Sequence, residues 1–596
     1  MKTASIRVLV LVAACLCTIS LRAQTPQATR GNPSSPHNRL QLHLAAKPQT
    51  PGSRPRGFLA SEEGRALVQA SGSPISKTLN ARFGAPSQAA LAQARARWAQ
   101  MLAQPRPIGS DPALASVPCN KNGGARFNLE PRQNAVFQNG PSADFILNGI
   151  GTGDDLIVQT ANDWRGAYIS NTWDNSMSGY YVHSSTTADC SVQFEGGLPN
   201  FENTFGLGQS VVAADSGRGA FFMADDRFPG GFALFRASAS DLLNPQICPP
   251  GTHQQQQADS CWMQTPPVLL DRGSEDYYGE LGIAVDERQT GAGKGAGDVY
   301  VVASMDGDPT TLVIAACTNS LNCSPLATLA TSSNNANQFP FIQVRPDGVI
   351  TVSYAGDFNA GFTTLPILFV TCTPAGAPNP PVCQQPVTVT TVTLPGSSLA
   401  NIDLIVGAPF YPKFANRLES SGKFTTFMVY NDCKNPYNAP PPNASGVCLN
   451  TEVSMTISQD GGQTWSTPSS ITPGAAQHFF PTVSNDASTG TVSIAYYSTE
   501  GDVFFRNTRV LLSQIAPGST TLGPARPVTA FSPIDTDPGE VSYGGALDYR
   551  IGAIARGTGT PGQTHLYVSF DSATVNGTYN KGPLPELNNH IELLPF

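Results

Sequence analysis

Two short stretches place a carboxylate beside a phenol. Asp276-Tyr277-Tyr278-Gly279 and Asp548-Tyr549-Arg550 each stand at the start of an apolar β-run. A carboxylate can draw the proton from a neighbouring phenol and make it a nucleophile, and a guanidinium next to the pair can hold an anionic group. The same residues can also bind a ligand or cation, or satisfy backbone groups where a strand begins. Asp163-Trp164-Arg165 and Asp225-Asp226-Arg227 follow β-runs, and Arg417 lies near a strand end. These are the further candidates for binding, with solvated turns as the plainer reading of the two Asp/Arg clusters. Asp306-Gly307-Asp308 supplies two oxygen ligands of the kind calcium takes, without the rest of a calcium loop, so no cofactor is expected, with calcium there as the alternative. Trp173 and Tyr180 are aromatic surfaces on which a sugar can stack, although most strand aromatics belong in a core.

Other chemistries leave no mark. The chain has no G-x-S-x-G elbow, H-E-x-x-H helix, phosphate-binding loop or dinucleotide fingerprint. Its 7 histidines are scattered, and His183 and His565 sit on strands where a structural role is the simpler one. A net charge of −8 with no long basic block disfavours nucleic acid as a partner.

The elements that must position these residues are short strands. Gly 56 and Pro 50 with only 13% charged residues suit many turns better than long helices. From about residue 125 a unit repeats. An apolar strand, often ending in Asp and a turn, is followed by an aromatic and β-branched strand. Ser210–Asp215 with Ala220–Asp225, Leu281–Asp286 with Asp298–Ala303, Phe341–Gly348 with Ile350–Tyr354, and Pro481–Asp486 with Thr491–Tyr497 are the clear copies. Weaker copies start near Leu156, Tyr411 and Tyr549. A third strand follows in most, as in Gly179–Ser184 and Val453–Ser458. Units spaced by roughly 50–70 residues predict an all-β propeller of four-stranded blades. The spacing favours seven blades, with six the alternative. The last unit ends at Asn589–Leu594, and its fourth strand is expected from the N-terminal side, near Phe127–Phe137, so that both chain ends close the ring.

Before the repeat the chain reads differently. Lys2 and Arg7 precede the apolar run Val8–Leu21, and Leu21-Arg22-Ala23 suits signal cleavage, so residues 1–23 read as an export signal. The run is short for a membrane span. Val12-Ala13-Ala14-Cys15 allows an alternative in which a lipid on Cys15 tethers the protein. Residues 24–118 read as a spacer, disordered over Gln24–Arg56 and helical at Ser61–Ala70 and Ser87–Leu102. The propeller is expected over 119–596. Beyond Cys15 and Cys17, ten of the 12 cysteines remain. In an exported chain an even number favours disulfides, most simply paired in order as Cys119/Cys190, Cys248/Cys261, Cys317/Cys323, Cys372/Cys383 and Cys433/Cys448.

One stretch is more specific than the rest. Ser458-Gln459-Asp460-Gly461-Gly462-Gln463-Thr464-Trp465 reads S-x-D-x-G-x-T-W. Gly461 and Gly462 allow positive φ in a tight turn, Ser458 and Asp460 can bond their own backbone, and Trp465 is an apolar anchor. The stretch resembles the Asp-box, the bacterial neuraminidase repeat of sialidases and other Asp-box β-propellers. That resemblance implies a turn between the third and fourth strands of a blade, here the fifth. It also implies the parts of sialidase chemistry: three arginines on a carboxylate, a Tyr nucleophile activated by Glu, and an Asp acid/base. Arg165, Arg227, Arg417 and Arg550 are the arginines that fit by position, and the F/Y-R-I/L-P motif that usually carries the first arginine is missing. The functions that follow are an extracellular module that binds glycan or protein and, as the alternative, a sialidase-like glycoside hydrolase.

Overall fold

A computed structural model describes most of residues 138–529, two helices between 62 and 103, and strands at 121–122, 532–533 and between 552 and 595. Among these described residues are seven sheets of four or five strands and one two-stranded hairpin. The inner strands of the seven sheets are Gln138–Ile146, Val211–Asp215, Tyr277–Val285, Gln338–Val344, Lys413–Leu418, His478–Asn485 and Gly552–Gly557. Each packs against the next in this order, and the last packs back against the first. The sheets are therefore the blades of a closed propeller, numbered below first to seventh.

The alternation of strand side chains explains the apolar runs. Successive residues of a strand point to opposite faces. In the second blade Phe221 and Met223 enter a core shared with the first blade, while Phe222 and Ala224 enter a core shared with the third. The third blade divides likewise, with Val301 and Ala303 on one side and Tyr300 and Val302 on the other. A blade between two neighbours has no solvated face, so its strands are apolar throughout instead of alternating with polar residues. Tyr180 obeys this rule. It is fully buried against Trp262 with ring centroids 5.6 Å apart, and so offers no sugar a platform. Trp173 lies outside the described residues.

Two strand assignments shift from expectation. Leu156 opens the second strand of the first blade, because the more polar Gln138–Ile146 precedes it as the inner strand. The outermost strand of the seventh blade is Lys121–Asn122, paired antiparallel with Ile591 and His590, and so lies before the expected Phe127–Phe137. The third strand it borders, Gly582–Pro595, contains the expected Asn589–Leu594. The two expected helices form at Glu62–Ala70 and Gln88–Ala103. They pair through Ala66, Leu67 and Ala94, and the Ser87 N–H donates to Glu62 Oε1 at 2.9 Å. No helix among the described residues is long and apolar enough to cross a membrane.

Three of the five expected cysteine pairs are bonded as expected, Cys248–Cys261, Cys317–Cys323 and Cys372–Cys383. Cys433 is also in a disulfide. Cys448, the partner expected for it, ends the short strand Gly446–Cys448, whose backbone pairs with Pro436–Asn438. The Cys448 side chain lies outside the described residues, and the Cys433/Cys448 pairing with it. Cys119, Cys190, Cys15 and residues 1–23 lie outside them as well.

The stretch Ser458–Trp465 joins the third strand of the fifth blade, Thr451–Ser458, to its fourth, Ser469–Ser470. Asp460 Oδ1 accepts the N–H groups of Gln463 at 3.0 Å and Thr464 at 2.9 Å, and the Thr464 hydroxyl donates to Oδ2 at 2.5 Å. The Ser458 hydroxyl accepts from Gly462 N–H at 2.8 Å. Trp465 Nε1 donates to Gly462 O at 3.1 Å, while its ring meets Phe369 of the fourth blade edge-on at 5.3 Å. The turn is thus internally bonded, and its anchor crosses to the neighbouring sheet. Gly462 is required twice, since φ is +98° and an added Cβ would stand 2.2 Å from Phe369.

The Asp460 carboxyl feels an upward push from its slight burial, but bonds from Thr464, Ser458 and Gln463 outweigh it and hold the pKa down at about 2. A carboxylate whose folded pKa is depressed stabilises the fold above its unfolded value and loses that contribution as pH falls through the folded one. Asp460→Asn should therefore lower the melting temperature most above pH about 4, and the deficit should shrink between pH about 4 and about 2, in paired thermal melts of variant and wild type.

Candidate functional site

The inner strands start at one rim of the ring and end at the other. The sequence candidates divide between the two. At the starting rim, Tyr277 opens the inner strand of the third blade, its backbone opposite Asp306. Asp163 ends the second strand of the first blade, opposite Gln138. Asp276, Trp164, Arg165, Asp308, Asp548, Tyr549 and Arg550 lie outside the described residues.

Asp225 and Arg227 close the second strand of the second blade, also at the starting rim. Both are buried and bind each other, Arg227 Nε to Asp225 Oδ2 at 2.9 Å. Arg227 also donates to Pro199 O at 3.2 Å and lies over the rings of Phe201 and Phe235, 5.4 Å and 4.7 Å from their centroids. The Ser178 hydroxyl of the first blade donates to Asp225. Burial pushes the Asp225 carboxyl above the ordinary range, against the pull of Arg227 and Ser178. The cluster pins the first blade to the second and presents no open face to a ligand.

Arg417 lies at the opposite rim, so it does not meet Arg227. There it belongs to a recurring clasp. Each of four successive blades carries an arginine at or just past the end of its inner strand, and each of the four reaches the next blade. Arg218 binds Asp215 at 2.9 Å and donates to Arg288 O at 2.8 Å. Arg288 is forked on Asp286, 2.6 Å at the shortest, and donates to Asp347 O at 3.0 Å. Arg345 pairs with Asp347 and covers Phe424 at 4.2 Å. Arg417 binds Glu419 at 2.8 Å and donates to Ser519 O at 2.8 Å and Ala516 O at 3.2 Å. An arginine paired in its own turn keeps donors free for the neighbouring blade's carbonyls, because its fork has five N–H groups. Arg417 is therefore a joint between blades, and its chemistry is spent there.

Between the rims the inner strands enclose a cavity of about 710 Å³. Its wall carries Gln343, Asn416, Asn485, Ser142 and Ser484 beside Phe341. Asn416 Nδ2 donates to Thr351 Oγ1 at 3.1 Å, and Asn485 Nδ2 donates to Asn416 O at 3.2 Å, so part of this polar wall is already fixed.

An ion-pair network crosses one end of the cavity. Arg556 of the seventh blade donates to Asp144 of the first at 3.0 Å and to both oxygens of Glu287 of the third at 2.8 Å and 2.9 Å. The second blade holds the carboxylates from behind, Ala214 N–H on Asp144 at 2.7 Å and Ser216 N–H on Glu287 at 3.0 Å. Four blades thus meet in one cluster. Burial pushes Asp144 above its ordinary range, while Arg556 and the N–H donors oppose it. Burial favours a neutral Arg556, but Asp144 and Glu287 outweigh it and hold the guanidinium charged.

Beside it, the seam between seventh and first blades holds a second cluster. Asp155, fully buried, accepts from Tyr567 OH at 2.8 Å and from Asn148 N–H at 3.1 Å, and pairs with His565 Nδ1 at 2.5 Å. Asp144, Asp155, Glu287, Arg556 and His565 were not candidates from sequence, His565 having been read as structural. The signal present in the sequence is a charge next to apolar residues of an inner strand, Asp144 before Phe145-Ile146 and Arg556 after Ile554-Ala555.

The arrangement can hydrogen-bond a polar ligand. Among the described residues it gathers no three arginines for one carboxylate, since Arg288, Arg345 and Arg556, which line the cavity, each bind carboxylates of the chain itself. No group of three His, Cys, Asp or Glu suited to a metal occurs among them either.

No family model and no curated protein matches this chain. Solved structures similar to it include the polysaccharide lyase Uly1, at 9% identity and TM-score 0.41, covering 81% of this chain and 98% of that one. The Aleuria aurantia lectin in complex with alpha-methyl-L-fucoside is similar at 10% identity and TM-score 0.33, over 66% of this chain and 97% of that one. The GH43_1 enzyme from Xanthomonas citri is similar at 10% identity and TM-score 0.26, over 54% and 88%. At these scores they assign no function to this chain.

Two outcomes follow from the clasp and the seam. Gly348 has φ +87°, and an added Cβ would stand 2.0 Å from the Arg288 guanidinium. Gly348→Ala should cost about 1–3 kcal/mol in chemical denaturation by displacing that clasp. His565 is held above its ordinary pKa by its hydrogen bond to Asp155, against partial burial. A histidine with a raised folded pKa contributes stability that is full below the unfolded value and lost as pH rises through the folded one. His565→Gln should therefore lower the melting temperature most below pH about 6.5, with the gap narrowing as pH rises above it.

Proposed function

We propose that this protein is an extracellular β-propeller that binds a saccharide in its central cavity without turning it over. The observation that carries this reading is the composition of the cavity wall. Residues with side-chain amides and hydroxyls from the first, fourth, fifth and sixth blades line one space together with Phe341. Its volume of about 710 Å³ lies within the usual range of small-ligand sites, about 300–1,000 Å³. Amides and hydroxyls both donate and accept, which suits the hydroxyls of a sugar, and an aromatic ring suits the apolar face of a pyranose. The apolar run after Lys2 and Arg7, together with the disulfides, supports export. Membership of the Asp-box propellers rests on the Ser458–Trp465 motif and is part of the proposal. A sialidase-like hydrolase would need three convergent arginines and an activated Tyr, and Arg227 and Arg417 are committed elsewhere.

A glycan microarray followed by titration calorimetry tests the reading. Gln343→Ala and Asn485→Ala should each weaken the best ligand by about 1 kcal/mol, roughly fivefold, with melting temperature checked to confirm folding. Absence of any glycan binding at millimolar concentration, or wild-type affinity in both variants, would sink it. Turnover of that ligand by wild type would replace binding with catalysis.

A further inference from the structure

We infer that the cavity takes an uncharged saccharide and disfavours uronates and other carboxylated sugars, an inference that rests on the saccharide reading above. The charged groups of the wall carry it. Four cationic residues line the cavity, Arg288, Arg345, Lys413 and Arg556, and four carboxylates line it with them, Asp144, Asp286, Glu287 and Asp486. The three guanidiniums are already bonded. Arg288 is forked on Asp286, Arg345 pairs with Asp347, and Arg556 is shared by Asp144 and Glu287. Lys413 has interactions of its own within the chain.

An entering carboxylate would thus find no guanidinium to itself. It would have to displace a carboxylate of the chain, or lose its hydration without a partner, and an unpaired anion is costly to bury. A further anion would add to the repulsion that Glu287 already exerts on Asp144. Asp144 is buried, and Arg556 and two backbone N–H groups already share the task of keeping it ionised. A neutral sugar meets no such penalty. Its hydroxyls can exchange bonds with the amides of Gln343 and Asn485.

Glu287 gives the means of testing this. It is the more exposed of the two carboxylates on Arg556, with 39% of its side chain open to solvent against 7% for Asp144. In Glu287→Gln the amide oxygen can still accept from Arg556, so the fold is kept while one negative charge is removed and the guanidinium is partly released. Binding of neutral and uronate oligosaccharides of matched length is measured by calorimetry at low and high salt, on wild type and variant. Wild type should prefer the neutral ligand by about tenfold or more. The variant should raise uronate affinity by about fivefold, with neutral affinity unchanged within about twofold and the gain removed at high salt, as a partly screened charge effect requires. Wild type binding the uronate as tightly as the neutral ligand would overturn the inference, as would a variant whose ratio does not move, and in both cases saccharide binding itself would stand. Wild type binding neither ligand would remove the saccharide reading and the inference with it.

Discussion

A ring of sheets has one place where the chain must meet itself, and the propeller depends on what holds that seam. Along most of the ring, neighbouring blades are joined by chain-continuous apolar cores. Between the seventh and first blades, the described residues show an apolar contact of Phe145 against Tyr567 at 4.6 Å with Ile157 beside them. Charges complete it. Arg556 reaches Asp144, and Asp155 gathers His565, Tyr567 and the backbone of Asn148. Buried ion pairs add modestly to stability, because desolvation offsets much of their attraction, but they penalise any arrangement that leaves one partner alone. At a seam that penalty favours one register and one neighbour. Outside it, the Lys121–Asn122 strand, which precedes the first blade in the chain, pairs with the last sheet.

The seam and the cavity share residues. Arg556 and Asp144 close the ring and line the wall, and Glu287 brings the third blade into the same cluster. The network that fixes the ring therefore also sets the charge a ligand meets. The arginine clasps carry the same logic round the rim. Gly348 and Gly297 are glycines at positive φ because the Arg288 and Arg218 guanidiniums occupy the space a Cβ would need. The Asp-box turn has a comparable role on the outside, where Trp465 couples the fifth blade to the fourth through Phe369.

The repeated strand pairs were legible because each strand carries its own signal. Ala220-Phe221-Phe222-Met223 reads as a strand whichever blade it enters, and the turn at Ser458–Trp465 is closed by bonds among its own eight residues. The short disulfides, such as Cys372–Cys383 across one hairpin, were legible for the same reason. The first blade was misread because Gln138–Ile146 is more polar than Leu156–Asp163, and apolarity alone drew the inner strand to the wrong place. The closing strand was placed too late because two residues, Lys121–Asn122, carry no pattern.

The sequence by itself determined the local units: strands by alternation, turns by Gly and Asp, helices by Ala-rich runs, hairpin disulfides by short spacing. It also located arginines at strand ends without saying what each would meet. Only the tertiary structure decided that Arg227 and Arg417 face opposite rims, buried and committed, and that Asp144, Glu287 and Arg556 come together. The physical reason is distance along the chain. Asp144 and Arg556 are 412 residues apart, and nothing near either one encodes the other. Their meeting follows from closing the ring, which is a property of all the blades at once.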